Sequence, residues 1–271
     1  TNSDPAGDMY LLDFLGMLGI PLVPVHEFPH HASVIFLPAQ AAADPNLGQH
    51  VREARARGTH LIVTTNLLLA WPEGRELAAA VGVDPDFTSA PMRAVHRTEM
   101  GDVEIDLESP IEVTPRPGDV VCADGSRRLL LLRTEGNLSL LNTHTYSQAD
   151  FDAVGEVLLC PRPLGLLGLD GAGLTEFRMA FNAGRRPAFE GPSCVTYHPF
   201  AHTGSDDVVL QNFNDESVEI SLTVSPERMH RVDRFSGLPL RTRADRVNDA
   251  VRLTFTLPAR DRIWVASEGA R

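Results

Sequence analysis

The chain has 271 residues, of which 43% are hydrophobic and 22% are charged, and its formal net charge is −12. This length favours two domains, and this composition is typical of folded globular proteins rather than disordered or fibrous ones. An acidic surface without a basic stripe repels phosphate groups, so we expect no nucleic-acid partner. All 24 basic residues are arginine, which excludes Schiff-base chemistry and lysine general bases.

The cysteines and the apolar stretches bear on the cellular location. Cys122, Cys160 and Cys194 are too few and too scattered for a disulfide framework or a CxxC zinc site, which favours a reducing compartment. The most apolar stretch, Met9 to Val23, is interrupted by an aspartate and is shorter than the roughly 20 residues of a membrane-spanning helix. We therefore predict a cytoplasmic protein with no membrane partner and, without a dinucleotide or phosphate-loop motif, no cofactor.

The chain begins with a helical pattern followed by two short apolar runs. "DMYLLDFLGML" has apolar residues at helical spacing, with Asp8 as a candidate N-cap and Gly19 as the stop signal. The runs "PLVPV" and "SVIFLP" are typical of strands that are buried on both faces of a parallel sheet. We expect a helix and then two strands here.

The next segments continue the alternation. "ADPNLGQHVREARARG" predicts a helix with Asp44 at the N-cap, Pro45 at the first position and Gly58 beyond the end. "HLIVTT" then predicts a buried strand, and "EGRELAAAVG" a further helix. This order predicts a doubly wound, flavodoxin-like α/β domain. Such a sheet needs a strand before its first helix, so we expect this chain to be a piece of a longer protein.

The second half of the chain is richer in strand patterns. "RRLLLLRT" and "NLSLLNTHTY" flank Glu135 and Gly136 and predict a hairpin, and two helical runs follow. The polar Gly/Pro-rich segment at 184–192 predicts a boundary between an α/β domain at 1–185 and a second domain at 193–271. The second domain has short alternating strands separated by turns, which predicts a small all-β sandwich.

An amidotransferase-like enzyme needs a thiol or hydroxyl nucleophile on the sharp turn after a central strand, where the helix N-terminus activates it. After "HLIVTT" the chain offers Asn66 and Leu67, with neither cysteine nor serine. Among the three cysteines, Cys122 is the most similar to such a nucleophile, because a glycine follows three residues later. The alternative is that Cys122 is a buried structural cysteine. We therefore predict no catalytic residue in this chain.

The segment "VPVHEFPHH" concentrates titratable side chains, namely His26, Glu27, His30 and His31. Histidines with a carboxylate could bind zinc, but Pro29 prevents the helix that would present them on one face, so we predict no metal site. A loop at the carboxyl end of parallel strands could instead bind a ligand or form an interface, and a solvated loop is the remaining interpretation.

Three further groups of residues are candidate sites. The acidic run "EMGDVEIDLE" could supply paired carboxylates for glycoside cleavage, but its alternation is typical of a solvated strand face. His144 lies among hydroxyl residues at a strand end, where it is either a ligand or interface candidate, together with Asn66, or a hydrogen-bonded loop residue. Trp71 and Trp264 are single aromatic residues that we expect in the core rather than in a sugar platform.

Longer stretches carry a family resemblance. Residues 13–65, beginning "DFLGMLGIPLVPVHEF", resemble the glutamine-amidotransferase-like, or trimerisation, domain that follows the catalytic barrel in family 42 β-galactosidases and related glycoside hydrolases. "VVCADGSRRLLLLRTEGNLSLLNTHTY" is similar to a later part of that domain. "VVLQNFNDESVEISLTV", "DRFSGLPL" and "LTFTLPARDRIWVAS" are similar to the small C-terminal β-sandwich of such enzymes.

The resemblance implies a non-catalytic C-terminal portion of a larger glycoside hydrolase, which assembles subunits and shapes a neighbouring active site. The partners that it implies are further copies of the chain or an upstream catalytic barrel, since the catalytic glutamates of these enzymes lie on a TIM barrel. A carbohydrate is a possible ligand. Two alternatives stay open: an independent amidotransferase-like hydrolase with a displaced nucleophile, and a carbohydrate-binding module at 193–271.

Overall fold

The computed structural model describes most of the chain, namely residues 8, 11–84, 90–98, 101–109, 113–124, 127–143, 171–183, 188–200 and 207–268. The helices are α1 Leu11–Met17, α2 Leu47–Ala56, α3 Thr65–Ala70, α4 Gly74–Ala80 and α5 Gly171–Phe181, and a 3-10 helix covers Ala39–Ala43. No helix in these ranges is long and apolar enough to cross a membrane.

The strands outnumber the helices and form four sheets. In the first half of the chain they are β1 Val34–Leu37, β2 His60–Thr64, β3 Ala90–Thr98, β4 Gly101–Ser109, β5 Val120–Asp124, β6 Arg127–Glu135 and β7 Leu138–Thr143. In the second half they are β8 Ala188–Glu190, β9 Val195–Pro199, β10 Val208–Asn212, β11 Val218–Val224, β12 Met229–Arg234, β13 Thr242–Val247, β14 Ala250–Leu257 and β15 Arg262–Glu268.

Contacts divide the chain into two compact units, one of residues 1–12 and 23–159 and the other of residues 13–22 and 160–271. The predicted boundary segment at 184–192 contains strand β8, which pairs with β11. The boundary between residues 185 and 193 itself stays a prediction.

The first unit is built on a mixed sheet with the strand order β1-β2-β7-β6-β5. Strands β1, β2 and β7 are parallel, whereas β6 pairs antiparallel with both β7 and β5. Leu61 and Val63 pack with apolar residues of α2, α3 and α4, and Ile62, which points to the opposite face, is also buried. The sheet therefore has the buried parallel strands that the sequence predicts, but the described residues do not show the all-parallel sheet of a flavodoxin-like fold.

Most of the strands that the sequence predicts in this unit are present, and one is not. "SVIFLP" and "HLIVTT" contain β1 and β2, and "RRLLLLRT" and "NLSLLNTHTY" contain the hairpin β6–β7, as predicted. "PLVPV" is not a strand, and Val23 and Val25 are 84% and 59% exposed. Pro21 and Pro24 remove two backbone donors from this short run, which prevents a regular ladder of hydrogen bonds.

The second unit contains the predicted β-sandwich. Its two four-stranded sheets have the orders β12-β15-β10-β9 and β13-β14-β11-β8. Their inner faces share one apolar core, in which Leu210, Leu222, Leu257 and Ile263 are completely buried. This part of the fold prediction is confirmed, although the sequence analysis found neither the short strand β8 nor the charged edge strand β13.

Candidate functional site

Polar side chains gather at the carboxyl end of the three parallel strands. Ala39 begins the 3-10 helix after β1, Thr64 is the last residue of β2, and Asn142 is the penultimate residue of β7. Because parallel strands end at the same edge of a sheet, these positions are neighbours, and this edge is where open α/β sheets bind ligands. We call Asp8, Thr64, Thr65, Asn66 and Asn142 the carboxyl-edge cluster.

Asp8 is the acceptor at the centre of the cluster, and it is only 5% exposed. Its Oδ2 accepts hydrogen bonds from the backbone N–H of Ala39 at 2.5 Å and from the Thr64 hydroxyl at 2.6 Å. Its Oδ1 accepts one from Asn66 Nδ2 at 3.1 Å. The sequence pattern predicts Asp8 as a helix N-cap, but its carboxyl group instead joins the ends of β1 and β2.

Burial raises the pKa of Asp8 above its usual value of 3.8, and the hydrogen bonds from Thr64, Ala39 and Asn66 only partly oppose this effect. A carboxyl group in so dry a place favours the neutral form. A raised carboxyl pKa next to a hydroxyl group is a pattern seen at catalytic sites, but it also occurs in structural networks. The geometry of Thr64 distinguishes a catalytic site from a structural network.

Thr64 lies at the junction of β2 and α3, where an amidotransferase-like enzyme carries its nucleophile. Its φ and ψ are −87° and 155°, an ordinary extended conformation, whereas a nucleophile on such a turn has a strained backbone. Its hydroxyl oxygen accepts the N–H of Leu67 at 3.1 Å as a helix cap, and the hydroxyl hydrogen goes to Asp8. Thr64 is 1% exposed, so this hydroxyl is a structural group.

The sequence prediction placed Asn66 and Leu67 at the nucleophile position and did not include the two threonines directly before them. Thr65 also has a hydroxyl, but it too is 1% exposed, and Asn142 donates to it from 3.4 Å. Asn142 is completely buried, and its Oδ1 accepts the backbone N–H of Val113 at 2.9 Å. The cluster therefore has acceptors and donors that satisfy one another, and neither hydroxyl is accessible to a substrate.

The histidine-rich loop lies on the surface. His26 and Glu27 have side chains that are 94% and 88% exposed, with 3.8 Å between His26 Nε2 and Glu27 Oε1. His30 and His31 are also exposed. In the described part of the chain, no group of three or more histidine, cysteine, aspartate or glutamate residues is placed to hold a metal ion. The loop thus stays a ligand or interface candidate.

His30 has neighbours that the sequence did not indicate. Its ring centroid lies 5.3 Å from that of Phe28 and 4.8 Å from that of His50 in α2. His50 Nδ1 in turn lies 2.8 Å from Asp44 Oδ2. The backbone hydrogen bond from Asn46 and the contact with His50 hold the pKa of Asp44 below its usual value. These contacts fix one end of the loop on α2.

The remaining predicted positions are distributed widely. Asn66 belongs to the carboxyl-edge cluster, whereas His144 and Cys160 lie outside the described residues. Cys122 in β5 and Cys194 are each 1% exposed, which matches the structural interpretation of Cys122. The structure does not bring a thiol to the carboxyl end of β2, in the ranges that it describes.

The two tryptophans differ from each other. Trp71 is 8% exposed and belongs to the core of the first unit, as predicted. Trp264 is 44% exposed on β15, so the expectation that it is a core residue is wrong. The alternation in "DRIWVAS" contained the signal, because Ile263 and Val265 face the core and the residue between them must face outward.

No family model matches the chain, and no curated protein matches it by sequence. Among solved structures, it is similar to a catalytic mutant of a GH42 beta-galactosidase from G. stearothermophilus, with 12% identity and a TM-score of 0.38 over 87% of this chain and 32% of that one. It is also similar to alpha-L-fucosidase isoenzyme 2 from Paenibacillus thiaminolyticus, with 10% identity and a TM-score of 0.46 over 97% of this chain and 45% of that one.

A third structure is a beta-galactosidase from Bacillus circulans sp. alkalophilus, with 15% identity and a TM-score of 0.32 over 87% of this chain and 32% of that one. The chain therefore spans less than half the length of the structures that it matches. At TM-scores below 0.5, these likenesses do not establish a shared fold or a shared activity.

Proposed function

We propose that this chain is the non-catalytic C-terminal portion of a larger, β-galactosidase-like glycoside hydrolase. In that protein it holds subunits together and helps to shape the sugar site of a neighbouring catalytic barrel. Its first unit is proposed to be a flavodoxin-like, amidotransferase-like domain that has kept its scaffold and lost its chemistry. The partners are further copies of the chain or the upstream barrel, and both proposals stem from the sequence resemblance.

The observation that supports this proposal best is the state of Thr64. At the junction where an active relative of this fold would expose a nucleophile, Thr64 is buried, unstrained and hydrogen bonded to Asp8 and Leu67. A nucleophile needs access to substrate, a base that can take its proton and a free lone pair for attack. Here burial removes access to substrate, and the hydrogen bond from the Leu67 N–H occupies one of the two lone pairs of the hydroxyl oxygen.

The assembly role draws on the exposed loop that precedes β1. Val23 and Val25 are 84% and 59% exposed, and His26 and Glu27 next to them are exposed too. Two valines this exposed and only one residue apart are unfavourable in water, and a rim of charged and aromatic groups around an apolar centre is typical of protein interfaces. We propose that this loop contacts a second copy of the chain.

Hydrolysis of nitrophenyl glycosides and of glutamine tests the catalytic part of the proposal. The full chain is expected to show no turnover of either class of substrate above a boiled control. Turnover that disappears in Cys122→Ser would establish the displaced-nucleophile alternative, since Cys122 is buried in the present fold and has no role in ours. Glycoside hydrolysis that survives this substitution would equally contradict a non-catalytic chain.

Light scattering after size-exclusion chromatography tests the assembly part. The wild-type chain is expected to have the mass of more than one copy, and Val25→Asp to shift this mass toward that of the monomer, because a charge in an apolar interface is costly. Val247→Asp, at a position that is 44% exposed on β13, is the matched control and should leave the mass unchanged. A wild-type chain that is monomeric at all concentrations contradicts self-assembly through this loop.

A further inference from the structure

Three aromatic rings lie together on the surface of the sandwich. Trp264 on β15, Phe200 after β9 and Phe235 after β12 are 44%, 41% and 50% exposed. The ring centroid of Trp264 lies 5.8 Å from that of Phe200 and 6.5 Å from that of Phe235, with interplanar angles of 22° and 30°. The rings are therefore almost parallel and form a continuous strip, with Trp264 in the middle.

The strip lies on the outer face of the sheet β12-β15-β10-β9. Strand pairing places His198, Val209, Trp264 and Asp233 in one row across the four strands. Their neighbours along each strand face the shared core, so this row faces outward. A large, exposed aromatic side chain in the centre of a flat sheet face is costly in water unless a ligand covers it.

Hydrogen-bonding groups surround the rings. The Arg262 guanidinium lies over one face of the Phe235 ring, 4.5 Å from its centroid, and Arg231 Nε donates to Asp233 Oδ2 at 2.5 Å. His198 lies at the other side of Trp264, with 3.1 Å between its Nε2 and the Thr196 hydroxyl. Hydrogen-bonding groups therefore lie on both sides of Trp264, and Asp233 is next to it on the neighbouring strand.

This combination discriminates among ligand classes. A protein interface is depleted of charged residues at its core, whereas Asp233 is the direct cross-strand neighbour of Trp264 here. A phosphate-bearing ligand is disfavoured by Asp233 and by the net charge of −12. A pyranose ring has one face of C–H groups and a rim of hydroxyls that both donate and accept, which is the complement of an aromatic plane with polar edges.

We propose that Trp264, Phe200 and Phe235 form a platform for a neutral oligosaccharide, whose pyranose rings stack on the aromatic rings and whose hydroxyls contact the flanking polar groups. Trp264 holds the central sugar ring. This inference goes beyond the proposed assembly role and does not depend on it. The platform is tested by the affinity of the chain for sugars, whereas the assembly role is tested by the mass of the particle.

Isothermal calorimetry on the full chain tests the platform, with β-1,4-linked galactotetraose and β-1,4-linked glucotetraose as the two probes. We expect saturable binding of at least one probe, and a loss of about tenfold or more in affinity in Trp264→Ala, which is the effect of removing one well-stacked ring. Phe235→Ala is expected to weaken binding by a smaller factor. Val247→Ala, an exposed apolar position on the opposite sheet, is the matched control and should bind as the wild type does.

Two results would overturn the platform. The first is that neither tetrasaccharide binds the wild-type chain up to about 10 mM, where a weak stacking site is still measurable. The second is that binding occurs but is the same in Trp264→Ala, provided that this variant melts at the wild-type temperature. If Trp264→Ala instead changes the particle mass, the face is an interface between copies, and the sugar proposal is wrong.

Discussion

The hydroxyl group of Thr64 donates a hydrogen bond to Asp8 Oδ2 over 2.6 Å, although the two residues are 56 positions apart in the chain. The same hydroxyl oxygen caps helix α3 through the N–H of Leu67. One buried side chain therefore connects the segment before α1, the end of β2 and the start of α3.

Replacing Thr64 with valine tests this structural role. The substitution keeps the shape but removes the cap and leaves a buried acceptor on Asp8 with one partner fewer, so the free energy of unfolding should fall by about 2–4 kcal/mol. Thr256 is exposed on β14. As the control, Thr256→Val should change the free energy of unfolding by less than about 0.5 kcal/mol. Urea titration followed by circular dichroism measures both. Equal effects of the two substitutions would mean that the Thr64 hydroxyl has no structural role.

The raised pKa of Asp8 predicts a dependence of stability on pH. Because the folded state holds the Asp8 proton more tightly than the unfolded state, its stabilising contribution is complete below pH 3.8 and is lost as the pH rises through the folded pKa. Asp8→Asn is a neutral mimic of the protonated form. It should become more stable relative to the wild type as the pH rises, and the two proteins should converge near pH 4.

Urea unfolding of both proteins between pH 4 and pH 8 measures this difference. The comparison isolates Asp8, since other carboxyl groups titrate in both proteins alike. A difference in stability that is constant over this range would show that Asp8 has the same pKa in the folded and unfolded states.

Local sequence patterns found the regular elements that local chemistry determines. Pro45 and Gly58 delimit a helical pattern, and α2 covers Leu47–Ala56 between them, with Asn46 rather than Asp44 at the N-cap. Asp44 contributes two residues earlier, by accepting the N–H of Asn46 at 2.8 Å. The hairpin between β6 and β7 was predicted correctly, but its turn is formed by Gly136 and Asn137, one residue later than predicted, because Glu135 is still paired with Leu138. These signals lie within a few residues of the element that they determine.

The sequence could not reveal contacts between distant segments. Asp8 meets Ala39, Thr64 and Asn66 only because the sheet brings the ends of β1 and β2 together, and no local pattern records this. Strand β13 has five exposed residues in six and no apolar alternation, so its pairing with β14 is set by tertiary context. For Trp264, in contrast, the local sequence contained the signal. Strand alternation predicts that its side chain faces outward, whereas the prediction that it lies in the core rested on its residue type alone.

A buried ion pair in the first unit should be far more sensitive than an exposed one. Arg133 and Asp119 have side chains that are 4% and 2% exposed, and Arg133 Nη2 lies 2.7 Å from Asp119 Oδ2. Burial alone would raise the pKa of Asp119, but the hydrogen bonds from Arg133 and from the backbone of Arg116 outweigh it and hold the pKa below 3.8. The carboxylate is thus stabilised in the fold, and its contribution is present above pH 3.8 and is lost at lower pH.

Asp119→Ala leaves the Arg133 charge buried without its carboxylate, and we expect a loss of about 3–5 kcal/mol in the free energy of unfolding at pH 7. Asp245→Ala is the matched control, because Asp245 pairs with Arg243 at 2.7 Å while both side chains are about half exposed or more. Its effect should stay below about 1 kcal/mol. Chemical denaturation of the wild type and the two variants measures these free energies of unfolding. Similar losses for the two variants would mean that burial does not make the Arg133–Asp119 pair more important for stability than an exposed pair.

Two glycines with the same backbone conformation separate steric fit from conformational strain. Gly19 and Gly237 both have φ of +81°, a region that favours glycine. A Cβ on Gly19 would lie 2.7 Å from Phe189 Cε1 and 3.1 Å from Arg178 Nε, whereas a Cβ on Gly237 would meet no heavy atom within 4 Å. Arg178 cannot easily move away, because it is 5% exposed and its guanidinium donates to the backbone oxygens of Leu18, Gly191 and Pro192.

Gly237→Ala should therefore cost only the strain of a left-handed alanine, about 1–2 kcal/mol. Gly19→Ala should cost this amount and, in addition, about 1–3 kcal/mol for the overlap with Phe189. Thermal unfolding followed by calorimetry compares the two variants, and we expect the lower midpoint for Gly19→Ala. If both variants melt at the same temperature, Phe189 and Arg178 yield without cost, and the close packing around Gly19 does not contribute to the stability of the second unit.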